Sequence, residues 1–234
     1  MTGEMFQPIS GALYLASIWV IPVLIAITFH EAAHGYVARA CGDDTAAKLG
    51  RVSLNPFRHV DPFGTVLLPA MLLLLRSPFL FGYAKPVPVN FGRLHHPRLG
   101  MVLVAAAGPA MNLALAFLAA LSFHLVAYVP ADAARWFAMN LFNSIKLNVV
   151  LAIFNLLPLP PLDGGRIAVG LLPNPLAIPL ARLEPYGMVI LIGLLLILPL
   201  IGEHLGLDLN IVWNVVASGT DTVIRAILAL TGNS

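Results

Sequence analysis

The sequence predicts an all-α polytopic membrane protein: about five to six apolar helices, with a small extended or re-entrant segment near residues 64–90. Three observations predict it. Of the 234 residues, 59% are hydrophobic and only 10% are charged, against roughly 25% charged in soluble domains. Mean hydropathy is +0.88. The apolar residues gather in runs that approach bilayer length, separated by short stretches rich in Pro, Gly and Asn. The same composition excludes other classes. A net charge of +2 with scattered basic residues gives no nucleic-acid footprint. The one cysteine, Cys41, permits neither an intrachain disulfide nor a Cys-based zinc site, and reads as a small apolar residue near a helix end. No Lys or Arg precedes Arg39, so the positive flank of an ordinary cleavable signal peptide is missing.

The first apolar run, 10–40, reads as a helix kinked at Pro22, which membrane helices tolerate. Cys41-Gly42-Asp43-Asp44 stops it, with Gly42 as a C-cap. Its last third carries His30-Glu31-Ala32-Ala33-His34. On a helix, His30 and His34 lie one turn apart on one face, so both imidazoles can reach one ion. Glu31 projects beside them, where it can take a proton from a water at the metal. Three fixed residues make a modest motif by themselves. Inside an apolar helix they weigh more, because ionisable groups there are expensive to bury and default to function.

Residues 43–63 are polar and turn-rich. His59 and Asp61 stand there either as a third ligand and its support or as ordinary loop residues. Residues 64–81 are apolar but short, and are interrupted by Pro69, Arg76 and Pro78. Gly82 to Asn90 alternates Pro and Val and must be extended, since each proline disfavours helix at the residue before it. It is either a rigid linker or a strand that pairs with a substrate peptide.

The run 99–129 predicts a further helix. Small residues 105–108 suit close packing, and Asn112 is a buried amide whose simplest use is an interhelical hydrogen bond. A short loop, 130–139, follows, with Arg135 and Trp136 as interface anchors. The helix expected at 140–157 carries Asn143, Lys146, Asn148 and Asn155, with Lys146 near enough to its end to snorkel. Then Pro158, Pro160 and Pro161 unwind the chain, and Asp163-Gly164-Gly165 makes a sharp turn. Asp163 there is either a third metal ligand or the cap of an Asx turn. Two more helices are expected, at 176–201 and 209–231.

Charge orients these runs. The positive-inside rule puts the N-terminus outside and the end of the first helix in the cytoplasm. One metal can reach both His30 and Asp163 only if an even number of crossings separates them. The stretch 64–81 must then enter and return, or lie at the interface. The last two helices would run out and back, leaving the acidic 202–210 turn outside.

His30-Glu31-x-x-His34, Gly108-Pro109-x-x-Asn112 and Asn155-x-x-Pro158 followed by Leu162-Asp163-Gly164, in this order, resemble the site-2 protease family of intramembrane zinc metalloproteases, peptidase family M50. The resemblance covers about 13–170, with 176–231 as accessory helices of one domain, 1–234. It implies zinc held by His30, His34 and Asp163, and Glu31 as catalytic acid/base. It also implies substrate contact at Asn155 and at Asn112, a membrane-protein substrate in the lipid bilayer, and a site open to the cytoplasm. Peptide-bond hydrolysis within the membrane is the implied activity. The chain resembles the short members that lack a PDZ or CBS module. Two rival readings remain: a catalytically silent membrane scaffold, and a small transporter, whose broken helices also place Asn and Asp at depth.

Overall fold

The computed structural model describes residues 7–74 and 84–233. Five helical stretches among them are long and apolar enough to cross a membrane. The first, α1 (Gln7–Ala40), ends as its sequence predicts. Gly42 has a φ of 107°, and the Asp43 amide reaches back to the Ala38 carbonyl over 2.9 Å, closing the helix in the left-handed turn that glycine favours. Short helices α2 (Thr45–Lys48) and α3 (Leu68–Leu74) follow. The lysine amide of Lys85 donates to the His59 carbonyl at 2.9 Å, so the chain between them leaves and returns to one place. Residues 75–83, which include Arg76, Pro78, Gly82 and Tyr83, lie outside the described residues.

Helix α4 (Pro97–Ser122) continues as a 3₁₀ segment, Phe123–Tyr128, and α5 (Ala131–Asn155) runs back beside it. Helix α5 starts nine residues before the expected position. Asp132 and Arg135 hid its first turns from an apolar-run reading, but Pro130 marks the start and Asp132 suits a helix N-terminus. Lys146 therefore stands well inside the span, not near its end. Helices α1, α4 and α5 pack on one another through small residues, among them Ala116, Ala120 and Ala152, all 0% exposed. Small side chains let membrane helices approach closely. Pro22 leaves the Ile18 carbonyl of α1 without its helical donor. The Asn143 amide of α5 donates to that carbonyl at 2.8 Å, so the kink is satisfied from a neighbouring helix.

After α5 come α6 (Asp163–Leu171), α7 (Asn174–Ala181), α8 (Gly187–Ile192), a π turn at Gly193–Ile197, α9 (Leu198–Leu205) and α10 (Ile211–Leu230). Contacts fix the direction of α10. Gly219 lies against Ile153, Ile227 packs with Ala116, Ala120 and Val149, and the Thr231 carbonyl bonds the His124 ring. Helix α10 thus runs from the end of the bundle where α5 finishes to the end where α4 finishes. The 206–210 turn that precedes it sits at the end where α5 finishes. This corrects the expected out-and-back pair with an outward acidic turn. The stretch 174–205 begins beside Arg98, whose guanidinium bonds Asn174 and Leu172. It therefore begins and finishes on one side of the bundle. Its length is that of a span, but it is broken at 182–186 and again at the π turn.

Candidate metal centre

The helical register of α1 brings the His30 and His34 rings to one face, and α4 sets their orientation. Nδ1 of His34 lies 2.7 Å from the Val104 carbonyl. A carbonyl only accepts, so Nδ1 carries the proton and Nε2 keeps a bare lone pair. Nδ1 of His30 lies 2.5 Å from Oδ1 of Asn112. The Asn112 Nδ2 group donates to Asn148 Oδ1 at 2.7 Å and to the Ala26 carbonyl at 3.3 Å, which fixes Oδ1 as the atom facing the ring. His30 is therefore held in the same tautomer. The two Nε2 atoms face each other at 3.1 Å. Two lone pairs so close repel unless a cation lies between them.

Asp163 completes the group. Its Oδ2 lies 3.3 Å from Nε2 of His30 and 3.4 Å from Nε2 of His34. Oδ2 is buried and has no hydrogen-bond partner, although a buried carboxylate oxygen demands one. Among the described residues, His30, His34 and Asp163 are the group able to hold a metal ion. Their spacings match the edges of a tetrahedron with bonds of about 2.0–2.1 Å, the distances of zinc to nitrogen and oxygen. The donor set and its orphaned oxygen fit a zinc ion.

Local sequence explains how Asp163 gets there. A Cβ on Gly164 would stand 2.2 Å from the Leu156 carbonyl oxygen, and one on Gly165 would stand 2.3 Å from the Pro160 nitrogen. The two glycines let α6 start against the loop that leaves α5. Gly108 serves the histidines directly. A Cβ there would meet both rings at 2.5 Å.

Glu31 lines the same cleft, a cavity of about 540 Å³ that also takes in Asn155, Arg166 and the extended segment. Its Oε2 accepts the Val87 amide at 2.8 Å. The Asn155 amide donates to the Leu151 carbonyl at 3.0 Å and stands half-buried in the cleft wall. Asn112 is elsewhere. It is 0% exposed, behind His30, with its polar atoms engaged as described. The expected interhelical hydrogen bond is present, and no surface of Asn112 is offered to a substrate. His59 is 2% exposed and bonds the Ser53 carbonyl, while Asp61 caps the turn at Phe63 and Gly64. Neither joins the metal group. Asn148, the Val104 carbonyl and the Val87 amide were missed in the sequence. Only the asparagine carried any signal, as a polar residue in an apolar helix.

A multi-pass helical bundle with two histidines and an aspartate around one point, and a glutamate beside it, defines a metallohydrolase site. The sequence signature of peptidase family M50 matches residues 124–198, a stretch holding Asn155 and Asp163 but not the histidines. The chain is 39% identical over 233 residues to "Putative zinc metalloprotease YwhC" of Bacillus subtilis, covering 97% of this chain and 96% of that one. It is 30% identical over 167 residues to "Putative zinc metalloprotease Rip2" of Mycobacterium tuberculosis, covering 70% of this chain and 60% of that longer one. No solved structure matches it. The chain belongs to peptidase family M50. It is a zinc metalloprotease with helices of membrane-spanning length.

Proposed function

We propose that this protein is an intramembrane endopeptidase, cutting peptide bonds of membrane-embedded substrates at a zinc ion held by His30, His34 and Asp163. The observation that carries this reading is the three buried donor atoms within 3.1–3.4 Å of one another, with Glu31 on the same cleft. Zinc, when bound, polarises a carbonyl and lowers the pKa of a water towards about 7.

The chain's own groups do the rest. Val87 N–H holds Glu31 through Oε2 and leaves Oε1 to accept a proton from the attacking water. Glu31 then returns that proton to the leaving amine. Asn155 has one amide hydrogen on the Leu151 carbonyl, and the other can donate to the carbonyl oxygen under attack. A helical substrate must unwind to expose that carbonyl. The segment 84–90 supports such an unwound stretch. Pro86 and Pro88 carry no N–H and the Val87 amide is held by Glu31, so pairing with a substrate would use the Val87 carbonyl and the Val89 amide. The basic residues that cluster after α1 support a cytoplasmic opening and an outside N-terminus.

Replacing Glu31 with Gln tests the reading. It should lower the cleavage rate of a labelled transmembrane peptide in liposomes by about 10²–10⁴-fold, with bound zinc unchanged. Full cleavage by the variant refutes the assignment of Glu31.

A further inference from the structure

A second feature lies on the other side of α5, away from the zinc ligands. Helix α10 buries one face, with Val216, Thr220 and Ile227, and exposes another. Asn214, Ser218, Asp221, Thr222 and Arg225 recur at helical spacing on the exposed side. Two of these are satisfied nearby. Asn214 bonds Asp208, and the Thr222 hydroxyl bonds the Ser218 carbonyl. Asp221 is different. It stands midway along a helix of membrane-spanning length. Across a cavity of about 480 Å³ it faces Lys146 of α5, with Phe142, Ile145, Ile224 and Leu228 as apolar walls. Both charged side chains are exposed, and among the described residues no ion pair joins either of them to a partner. Hydrocarbon around two unpaired charges is an unfavourable solvent, and such groups pair or face protein.

We propose that this α5–α10 groove is the contact surface for a second copy of the chain. The occupant follows from charge and symmetry. Two copies inserted the same way are related by a two-fold axis along the membrane normal. Groups that pair across it must therefore lie at one depth and carry opposite signs. Lys146 and Asp221 line one cavity and have opposite signs, and the long, flexible lysine stem can bridge the offset of about one helical turn between their levels. Lys146 of one copy meets Asp221 of the other, and the reverse contact forms at the same time. The apolar walls pack between them. Lipid in the groove would leave both charges unpaired. A foreign helix would need its own matched pair in register.

The test exploits the two reciprocal contacts. Differently tagged chains are extracted in styrene–maleic acid discs with their native lipid, and the number of chains per disc is read by mass and by co-purification of the tags. Wild type should give two chains. Lys146→Asp alone makes both contacts acid against acid, and Asp221→Lys alone makes both base against base, so each variant should give one chain. Co-expressing the two variants restores opposite signs at both contacts, and the mixed pair should reappear. A role within one chain predicts no such rescue. Zinc content reports that each variant is folded. Should a reversal fail to fold, Lys146→Met and Asp221→Asn remove one charge without reversing it and should weaken pairing at least about tenfold. Single wild-type chains, single variants that still pair, or no mixed pair would each overturn the proposal.

Discussion

At the scale of single residues, the histidines are prepared for a metal before one arrives. Each ring gives its Nδ1 proton to an oxygen on α4 and turns Nε2 inward. Asn112 is itself fixed by Asn148, so His30 is oriented by a chain of two buried amides. Partners of this kind tune metal affinity by about 10–100-fold. Asn112→Leu should therefore weaken zinc binding by about that factor in a competition titration with a chelator, while the helical circular dichroism stays intact. Unchanged affinity would mean that the amide does nothing for His30. The meeting of the two histidines was legible because a helix converts a spacing of four into a shared face. Asp163 was not legible in this way. Its spacing from His34 carries no geometry, and only the family resemblance favoured a place beside the histidines over a turn cap. Asn112 was misread as a substrate contact, because a sequence does not say which side of a ligand a polar residue occupies.

At the scale of elements, the segment 84–90 is tied down along its length. Lys85 is held by His59 and Arg51, Val87 by Glu31, and Asn90 by Asp43. Asp43 is 1% exposed. Burial pushes its carboxyl up, but the Thr45 hydroxyl and the Asn90 and Thr45 amides, with Arg93 nearby, outweigh burial and hold it below the ordinary aspartate range. A carboxyl lowered in the folded state stabilises the fold above the ordinary range and loses that contribution as pH falls through its own lowered value. Asp43→Ala should cost about 1.5–3 kcal/mol, the scale of hydrogen bonds to a charged group. The melting difference from wild type should hold from about pH 5 to about pH 8 and narrow below about pH 4. A difference that grows in acid would contradict this. The prolines made the segment's lack of helix readable. Its anchors were not, since each depends on a residue 26 to 56 positions away.

At the scale of the whole molecule, α10 and the 206–210 turn decide the topology. Length and apolar content made 174–205 look like one crossing. Two breaks and its contacts give it both ends on the side of the bundle where α5 finishes. Counting 176–201 as one full crossing is what put the 202–210 turn outside, since an apolar run shows its length but not whether the chain turns back. Single cysteines in a Cys41→Ala background test this. Leu207→Cys should react with a membrane-impermeant maleimide from the same side as Arg51→Cys, and Asn233→Cys from the opposite side. Labelling of positions 207 and 233 from one side would refute the direction assigned to α10.

The central claim is that α1, through His30 and His34, and the start of α6, through Asp163, converge on one zinc ion. Metal content of the purified, detergent-solubilised protein, measured for wild type beside Asp163→Ala, addresses it without a substrate. About one zinc per chain in wild type and a sharp loss in the variant is the predicted result. Equal zinc in both would remove Asp163 from the site and contradict the geometry on which the mechanism rests.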